Sequence, residues 1–283
     1  MDKHEFLLTF VNVEEGIQEA SMNILDLYTS ERERQQFEER WSQFLRSDCA
    51  HKGIMERKDN LLVYRTEEII PKRQDPRTPL LFLLGNPASH SVASGMFFAF
   101  ERAGAEHRFW KVLKKADLLS FASDAETMST ADVDMVERNR LRKNRLYELC
   151  YRSPFRVGLA VFYSMPSPAS GYPWAGVAGL RRLFGERAFR KIGEHEKERI
   201  KNLVREFVTP RGTVIASQKD AYLGIKSFAS PDYRLAAARK GNLAGYCQCD
   251  PHVRLFCCPP TRSASGALAA LATFRQTILK KED

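Results

Sequence analysis

The sequence predicts an α/β fold in which helices cover both faces of a parallel sheet. Four short apolar runs, at residues 79–84, 157–163, 212–217 and 253–258, have the length and composition of buried strands. Helical patterns separate these runs, and strands that alternate with helices are typical of a parallel sheet buried on both faces. Loops rich in Pro, Ser and polar residues follow three of the four strands, so functional side chains are expected at the carboxyl edge of the sheet.

The composition indicates the size, partner and compartment of the protein. Its 283 residues, 43% of them hydrophobic, suit one large domain with or without an appendage. The 44 Lys and Arg residues against 35 Asp and Glu favour a polyanionic partner, with nucleic acid first. The sequence contains no signal-peptide pattern, no apolar run long enough for a membrane span and no cysteine pattern typical of secreted proteins. We therefore expect a cytoplasmic, reducing environment and no membrane.

Residues 1–75 are expected to form a helical extension outside the α/β domain, which we place at residues 76–283. One predicted helical face contains Ile17, Ala20, Ile24, Leu27 and Tyr28. Ser30 and Glu33 then form a capping-box pattern ahead of three aromatic residues at helical spacing, Phe37, Trp41 and Phe44. These aromatic side chains are interpreted as packing residues.

Two basic segments lie in or beside the α/β domain. Lys72, Arg73 and Arg77 lie among prolines in a connector and are interpreted as solvated. The run 138–145 holds five basic residues within the helical region 113–149. Such a run usually forms a solvated helix face, and on a nucleic-acid-binding protein it is also a plausible phosphate-contacting surface.

Common catalytic and cofactor-binding motifs are absent from the sequence. It has neither of the glycine-rich phosphate cradles, no HExxH zinc helix and no GxSxG nucleophile elbow. Four cysteines and a histidine lie close together, Cys247, Cys249, His252, Cys257 and Cys258. Metal or iron–sulfur ligation by this group is conceivable, but neighbouring side chains on a strand point to opposite faces. We therefore predict buried thiols, no metal and no cofactor.

The region after the first predicted strand carries a family resemblance. Residues 84–87 read Leu-Gly-Asn-Pro, and a loop of small residues leads from them to Phe98. Residues 108–111 read Arg-Phe-Trp-Lys. Together they resemble the first active-site motif and the following segment of the uracil-DNA glycosylase superfamily, closest to its mismatch-specific uracil/thymine branch. The resemblance extends, with the later strands in order, over about residues 79–278.

The resemblance implies a three-layer α/β/α fold with a four-stranded parallel sheet and a base-flipping site at its carboxyl edge. In the family the motif Asn orients a water towards the sugar, a role that falls here on Asn86. The base-binding residues implied are Gly85, Pro87, Phe98 and Thr261. The DNA-binding residues implied are Arg108, Lys111 and Arg262. Double- or single-stranded DNA is the expected partner.

The second family motif is where the sequence departs from the pattern. Pro259 stands where the family usually has His or Asn, and proline offers no hydrogen-bond donor. Within the first motif, His90 stands at a position of Ser or Gly. The expected function is a DNA base-excision glycosylase. The alternatives are a catalytically silent nucleic-acid or base-binding protein on the same fold, and an unrelated hydrolase that uses Ser89 or Ser91.

Overall fold

The computed structural model describes most of the chain, which folds as two compact units. The described ranges are 6–99, 105–121, 135–169, 171–260 and 263–279. Unit 1 comprises Met1–Glu68, Gly85–Phe97 and Val161–Arg199, and unit 2 comprises Ile69–Leu84, Phe98–Ala160 and Ile200–Asp283. Each unit is therefore assembled from three separate stretches of chain. The division at residue 75 expected from the sequence stays a prediction.

Unit 1 contains an antiparallel sheet of four described strands. They are β1 (Leu8–Glu14), β2 (Ile17–Asn23), β3 (Met55–Lys58) and β4 (Leu61–Glu67), in the spatial order β1-β2-β4-β3. Its helices are α1 (Glu31–Arg46), α2 (His51–Ile54), α3 (Ser89–Ala93), α6 (Gly176–Phe184) and α7 (Glu186–Leu203), of which residues 186–199 belong to this unit.

Helix α1 confirms the predicted capping box and the predicted packing face. The Ser30 hydroxyl accepts a hydrogen bond from the backbone N–H of Glu33, and the Glu33 carboxylate accepts one from the N–H of Ser30. Phe37, Trp41 and Phe44 are buried along one face of the helix. Their rings form the aromatic core of unit 1, since consecutive members lie 6.0 Å apart.

The prediction that residues 1–75 are helical is wrong for most of the described part of this segment. Residues 17–23, whose spacing suggested a helix, form the central strand β2, which pairs with both β1 and β4. Gly16 supplies the tight turn between β1 and β2 with a φ of +80°. Hydrogen bonding on both sides of the strand outweighs a helical spacing carried by only a few residues, since propensity is a weak prior.

The second sheet contains the four strands that the sequence predicts. They are β5 (Thr78–Leu84), β6 (Phe155–Val161), β7 (Thr213–Ala216) and β9 (Arg254–Cys257), with β8 (Ala244–Tyr246) as a further strand. The spatial order is β6-β5-β7-β9-β8. Pairs β5–β7 and β7–β9 are parallel, and β8 runs antiparallel to β9 at the edge.

The predicted four-stranded, wholly parallel sheet is therefore wrong in two respects. The described residues form five strands, and one of them is antiparallel. The additional strand has only three residues, Ala-Gly-Tyr, and its side chains are half-buried or exposed. It lacks the apolar run that marks a buried strand, so the sequence gives it no signal.

Helices and a helical turn accompany the second sheet in unit 2. They are α4 (Arg108–Lys115), α5 (Met135–Tyr147), α8 (Lys219–Ile225), α9 (Leu235–Arg239), α10 (Ala264–Leu279) and a π-helical turn at Val204–Val208. Every residue of β6 and β7 is buried, which confirms the predicted α/β class. Phe274 of α10 packs against Phe256 of β9, with 4.8 Å between ring centroids. Within the described ranges, no helix has the length and apolar character that crossing a membrane requires.

Candidate functional site

The loop Gly85–Pro87 begins where β5 ends, at a reversal in the order of the strands. From β5 the chain continues to β6 on one side, whereas β7 lies on the other side of β5. In open α/β sheets, ligands bind beyond the carboxyl ends of the strands at such a reversal. The topology therefore supports a functional role for residues immediately after β5.

Backbone hydrogen bonds hold this loop beside the segment that follows β6. The N–H of Tyr163 donates to the carbonyl of Gly85 at 2.8 Å, and the N–H of Ser167 donates to that of Pro87 at 3.1 Å. The N–H of Ser89 donates a hydrogen bond of 2.9 Å to the carbonyl of Ser167. These hydrogen bonds join the segments that follow β5 and β6 and fix the backbone on both sides of Asn86.

The side-chain amide of Asn86 is oriented by three acceptors. Its Nδ2 lies 2.9 Å from Oγ of Ser167, 3.2 Å from the carbonyl oxygen of Pro87 and 3.4 Å from that of Met165. Carbonyl oxygens only accept, so the nitrogen of the amide must face them. Oδ1 therefore points away and accepts no hydrogen bond from a described residue. The half-buried amide thus presents a fixed acceptor that can bind water.

Ser167 is a site residue that the sequence did not reveal. It is buried, and its hydroxyl accepts a hydrogen bond of 2.7 Å from the N–H of Gly176 in addition to the one from Asn86. It lies 81 positions beyond Asn86. The only available signal was the Pro- and Ser-rich loop after the second strand, which also contains other serines.

A buried polar network fixes the start of that loop. The carboxylate of Glu196, which is fully buried, accepts hydrogen bonds from the backbone N–H and the hydroxyl of Ser164. Its other oxygen lies 2.8 Å from Nε of Arg199, which also pairs with Glu68 at 3.0 Å. Burial alone would lower the pKa of Arg199, but these two carboxylates outweigh burial and raise the pKa. The Tyr64 hydroxyl completes the network, 2.7 Å from that of Ser164.

Two serines and a histidine follow Asn86 on α3. Ser89 and Ser91 are buried, and Oγ of Ser89 has no hydrogen-bond partner among the described residues. A serine nucleophile must be reachable by its substrate, so their burial gives no support to a serine hydrolase. His90, between them on the same helix, is exposed.

Phe98, the predicted stacking residue, belongs to unit 2 and is already stacked within the protein. The ring of Phe109 lies 4.0 Å from it at an interplanar angle of 20°, and that of His107 lies 4.8 Å away at 29°. Two rings so close and so nearly parallel would overlap on one face, so they cover opposite faces. A nucleobase would have to displace one of them. His107 is half-buried and Phe109 is 2% exposed, so the histidine is the more easily displaced ring.

Arg108 and Lys111, predicted to bind DNA, lie exposed on α4. Lys114 and Lys115 on the same helix are exposed as well. None of the four cations forms an ion pair with a described carboxylate. The other face of the helix is apolar and buried. Helix α4 therefore presents four cations to solvent, as a phosphate-contacting helix requires.

Two other basic residues discussed above, Arg142 and Arg77, are held by ion pairs within the protein. Arg142, in the run 138–145, is buried, pairs with Glu106 at 2.8 Å and covers the ring of Trp110 at 5.1 Å. The interpretation of this run as a solvated face is therefore wrong for Arg142, because an aromatic surface and a carboxylate compensate its burial. Arg77 likewise forms an ion pair of 2.7 Å with Asp75.

The excess positive charge of the chain resides in unit 2. This unit contains 28 of the 44 Lys and Arg residues and 16 of the 35 Asp and Glu residues, a formal charge of +12. The remaining 16 basic and 19 acidic residues give unit 1 a formal charge of −3. A polyanion is therefore attracted to unit 2, which also contains α4.

The second-motif segment, residues 258–263, follows β9 in the same unit. Cys257, Cys258 and Pro259 are buried, whereas Thr261 and Arg262 lie outside the described residues. Burial raises the pKa of the Cys258 thiol to about 11. All six cysteines are free thiols, and the described part of the chain contains no group of three His, Cys, Asp or Glu side chains placed to hold a metal ion.

Comparison with known proteins gives no family for this chain. No protein-family model matches the sequence, and no curated protein matches it with significant similarity. Functional assignment therefore depends on the residues described above and on their geometry.

Proposed function

We propose that the protein is a DNA N-glycosylase of the uracil-DNA glycosylase type, which flips a damaged or mismatched base and hydrolyses its N-glycosidic bond. The observation that carries the proposal is the held amide of Asn86, whose Nδ2 has three protein acceptors and whose Oδ1 has no described donor. The proposal includes a three-layer α/β/α arrangement. It is supported by the burial of β6 and β7 on both faces.

The chemistry of N-glycosidic cleavage fits a fixed amide better than a strong nucleophile. As the bond breaks, positive charge develops on the sugar and negative charge on the departing base, so the site needs a held water and oriented dipoles. Oδ1 of Asn86 would accept a hydrogen bond from the attacking water and direct its lone pair at the sugar carbon. A water held in this way loses little entropy when it reacts, which lowers the barrier.

Unit 2 would supply most of the attraction for DNA. Its formal charge of +12 and the exposed Arg108 and Lys111 of α4 support binding to a phosphate backbone, and Arg262 is proposed for the same role. Gly85, Pro87, Phe98 and Thr261 are proposed to contact the flipped base. All six cysteines are free, which supports a reducing, cytoplasmic environment.

Release of free base from uracil-containing oligonucleotides, single- and double-stranded, tests the proposal. Asn86→Ala removes the acceptor for water and is expected to lower the single-turnover rate by about 100- to 1,000-fold, as loss of one oriented polar group does elsewhere. Asn60→Ala makes the same chemical change at an exposed position of unit 1 and should leave the rate unchanged. Equal activity of the wild type and Asn86→Ala would rule out the assigned role.

A catalytically silent DNA-binding protein is the second candidate. Two observations favour it, the absence of a side-chain donor at Pro259 and the coverage of both faces of Phe98 by His107 and Phe109. Such a protein would bind DNA with a strong salt dependence and release no base from any lesion. Detection of free uracil and abasic sites would exclude this candidate.

A further inference from the structure

Helix α9 is fixed on α10 by direct backbone packing. Gly241 follows α9 with a φ of +71°, and a Cβ at this position would lie 2.8 Å from the carbonyl oxygen of Ala270 and 2.7 Å from Cβ of Thr273. No larger residue fits there without a shift of α10. Ala238 within α9 is fully buried. The last turn of α9 therefore has a defined position on the surface of α10.

This packing places Arg239 beside the second-motif segment. A Cβ at Gly266, in the first turn of α10, would lie 3.3 Å from Cγ of Arg239, 3.5 Å from Cγ of Pro259 and 3.1 Å from Oγ of Ser263. The aliphatic part of Arg239 therefore lies against the same small surface as Pro259. Arg239 is nevertheless exposed and forms no ion pair with a described residue. Its charge is available to a ligand.

The chemistry of this position points to a phosphodiester. Pro259 has neither a side-chain donor nor a backbone N–H, so it offers no hydrogen bond to a ligand beside it, whereas the Arg239 guanidinium does. Arginine presents several N–H donors in a planar fork, which matches two oxygens of one phosphate and remains charged at all physiological pH values. The surrounding unit carries a formal charge of +12, which attracts anionic partners and attracts a long polyanion most strongly.

We infer that Arg239 contacts the DNA backbone beside Pro259. The inference rests on the proposed function only in taking DNA as the ligand, and it does not require base hydrolysis. The sequence alone does not distinguish Arg239 from its basic neighbours Arg234 and Lys240. Its position beside Gly266, on the same small surface as Pro259, distinguishes it.

The salt dependence of DNA binding tests this role. Each phosphate contact contributes about 0.9 to the slope of log affinity against log salt concentration. Arg239→Gln is therefore expected to reduce that slope by about 0.9, and to weaken binding about eightfold at roughly 0.1 M salt. The loss should be equal for a duplex with one uracil and for the same duplex without it, because a backbone contact is independent of sequence.

Arg211→Gln is the matched control. Arg211 is exposed in the same unit and precedes β7, at the opposite edge of the sheet from the second-motif segment. The Arg211→Gln variant should bind DNA with the same salt-dependence slope as the wild type. Arg239→Lys keeps the charge and should retain the slope, and thermal unfolding of Arg239→Gln should match that of the wild type.

Three results would overturn the inference: an unchanged slope in Arg239→Gln, an equal loss in Arg211→Gln, or failure of the wild type to bind DNA. Failure of the proposed hydrolysis gives a different pattern. In that case no base is released, yet Arg239→Gln still lowers the slope, and the contact stands.

Discussion

The Ser167→Ala substitution tests whether the orientation of the Asn86 amide matters for the reaction. The substitution removes the acceptor that lies 2.9 Å from Nδ2 of Asn86 and 2.7 Å from the N–H of Gly176, and leaves the asparagine itself intact. The carbonyls of Pro87 and Met165, at 3.2 and 3.4 Å, remain as weaker anchors. The amide should therefore occupy its productive orientation for a smaller fraction of the time.

The expected losses follow from these two hydrogen bonds. Each lost hydrogen bond is worth about 1 kcal/mol net, so the free energy of unfolding should fall by about 2 kcal/mol in total. Loss of the Ser167 hydrogen bond removes about 1 kcal/mol of preference for the productive orientation of the amide. This free energy corresponds to a rate about fivefold lower. The effect on KM should be small, because Ser167 is buried.

Single-turnover release of uracil, measured beside thermal unfolding, tests both losses. Ser153→Ala is a suitable control, because Ser153 also makes two hydrogen bonds, of 2.6 Å to the carbonyl of Leu118 and 3.0 Å from the N–H of Phe155. The control should lose similar stability and keep its rate. A folded Ser167→Ala variant with the full wild-type rate would refute the view that Ser167 orients Asn86.

Two further predictions concern stability. Glu196→Ala removes the fully buried carboxylate that binds Ser164 and Arg199 and leaves Arg199 with Glu68 as its partner, so it should lower the free energy of unfolding by about 3 kcal/mol, measured by denaturant titration. Hydrogen bonds from Arg77 hold the pKa of Asp75 below its ordinary value, so this pair stabilises the fold above about pH 4 and the stabilisation is lost as pH falls through the folded-state pKa. The difference in unfolding free energy between the wild type and Arg77→Gln should therefore shrink below that pH, and a constant difference down to pH 2 would contradict it.

The strands of the second sheet could be predicted because each is a short, continuous apolar run. Residues 78–84 and 155–161 are buried nearly throughout, so their composition alone indicates two covered faces. Strand β2 could not be predicted in this way, because its assignment depends on pairing with β4, about 44 residues later in the chain. The short edge strand β8 carries no apolar signal at all.

The candidate site was predictable only in part, for similar reasons. The position of Asn86 after a strand is local information, whereas its anchoring by Ser167 joins residues 81 positions apart. The burial of Arg142 depends on the aromatic rings of Trp110 and Phe121, which lie outside its helix, so the basic run alone wrongly predicted a solvated side chain. Likewise, Phe98 stacks on His107 and Phe109 with a left-handed backbone, φ +49°, which a phenylalanine in the sequence does not indicate.

The interleaved segments of unit 1 have a consequence for synthesis of the chain. The ion pair between Glu68 and Arg199 joins positions 131 residues apart, and the hydrogen bond from Tyr28 to the carbonyl of Phe184 spans 156. At about 5–20 residues per second, a ribosome needs roughly ten seconds to supply these partners. Meanwhile the strand Leu8–Glu14, which carries no Lys, Arg or Pro, has emerged without the rest of its unit. This strand therefore stays exposed to aggregation until the later segments of unit 1 have been synthesised.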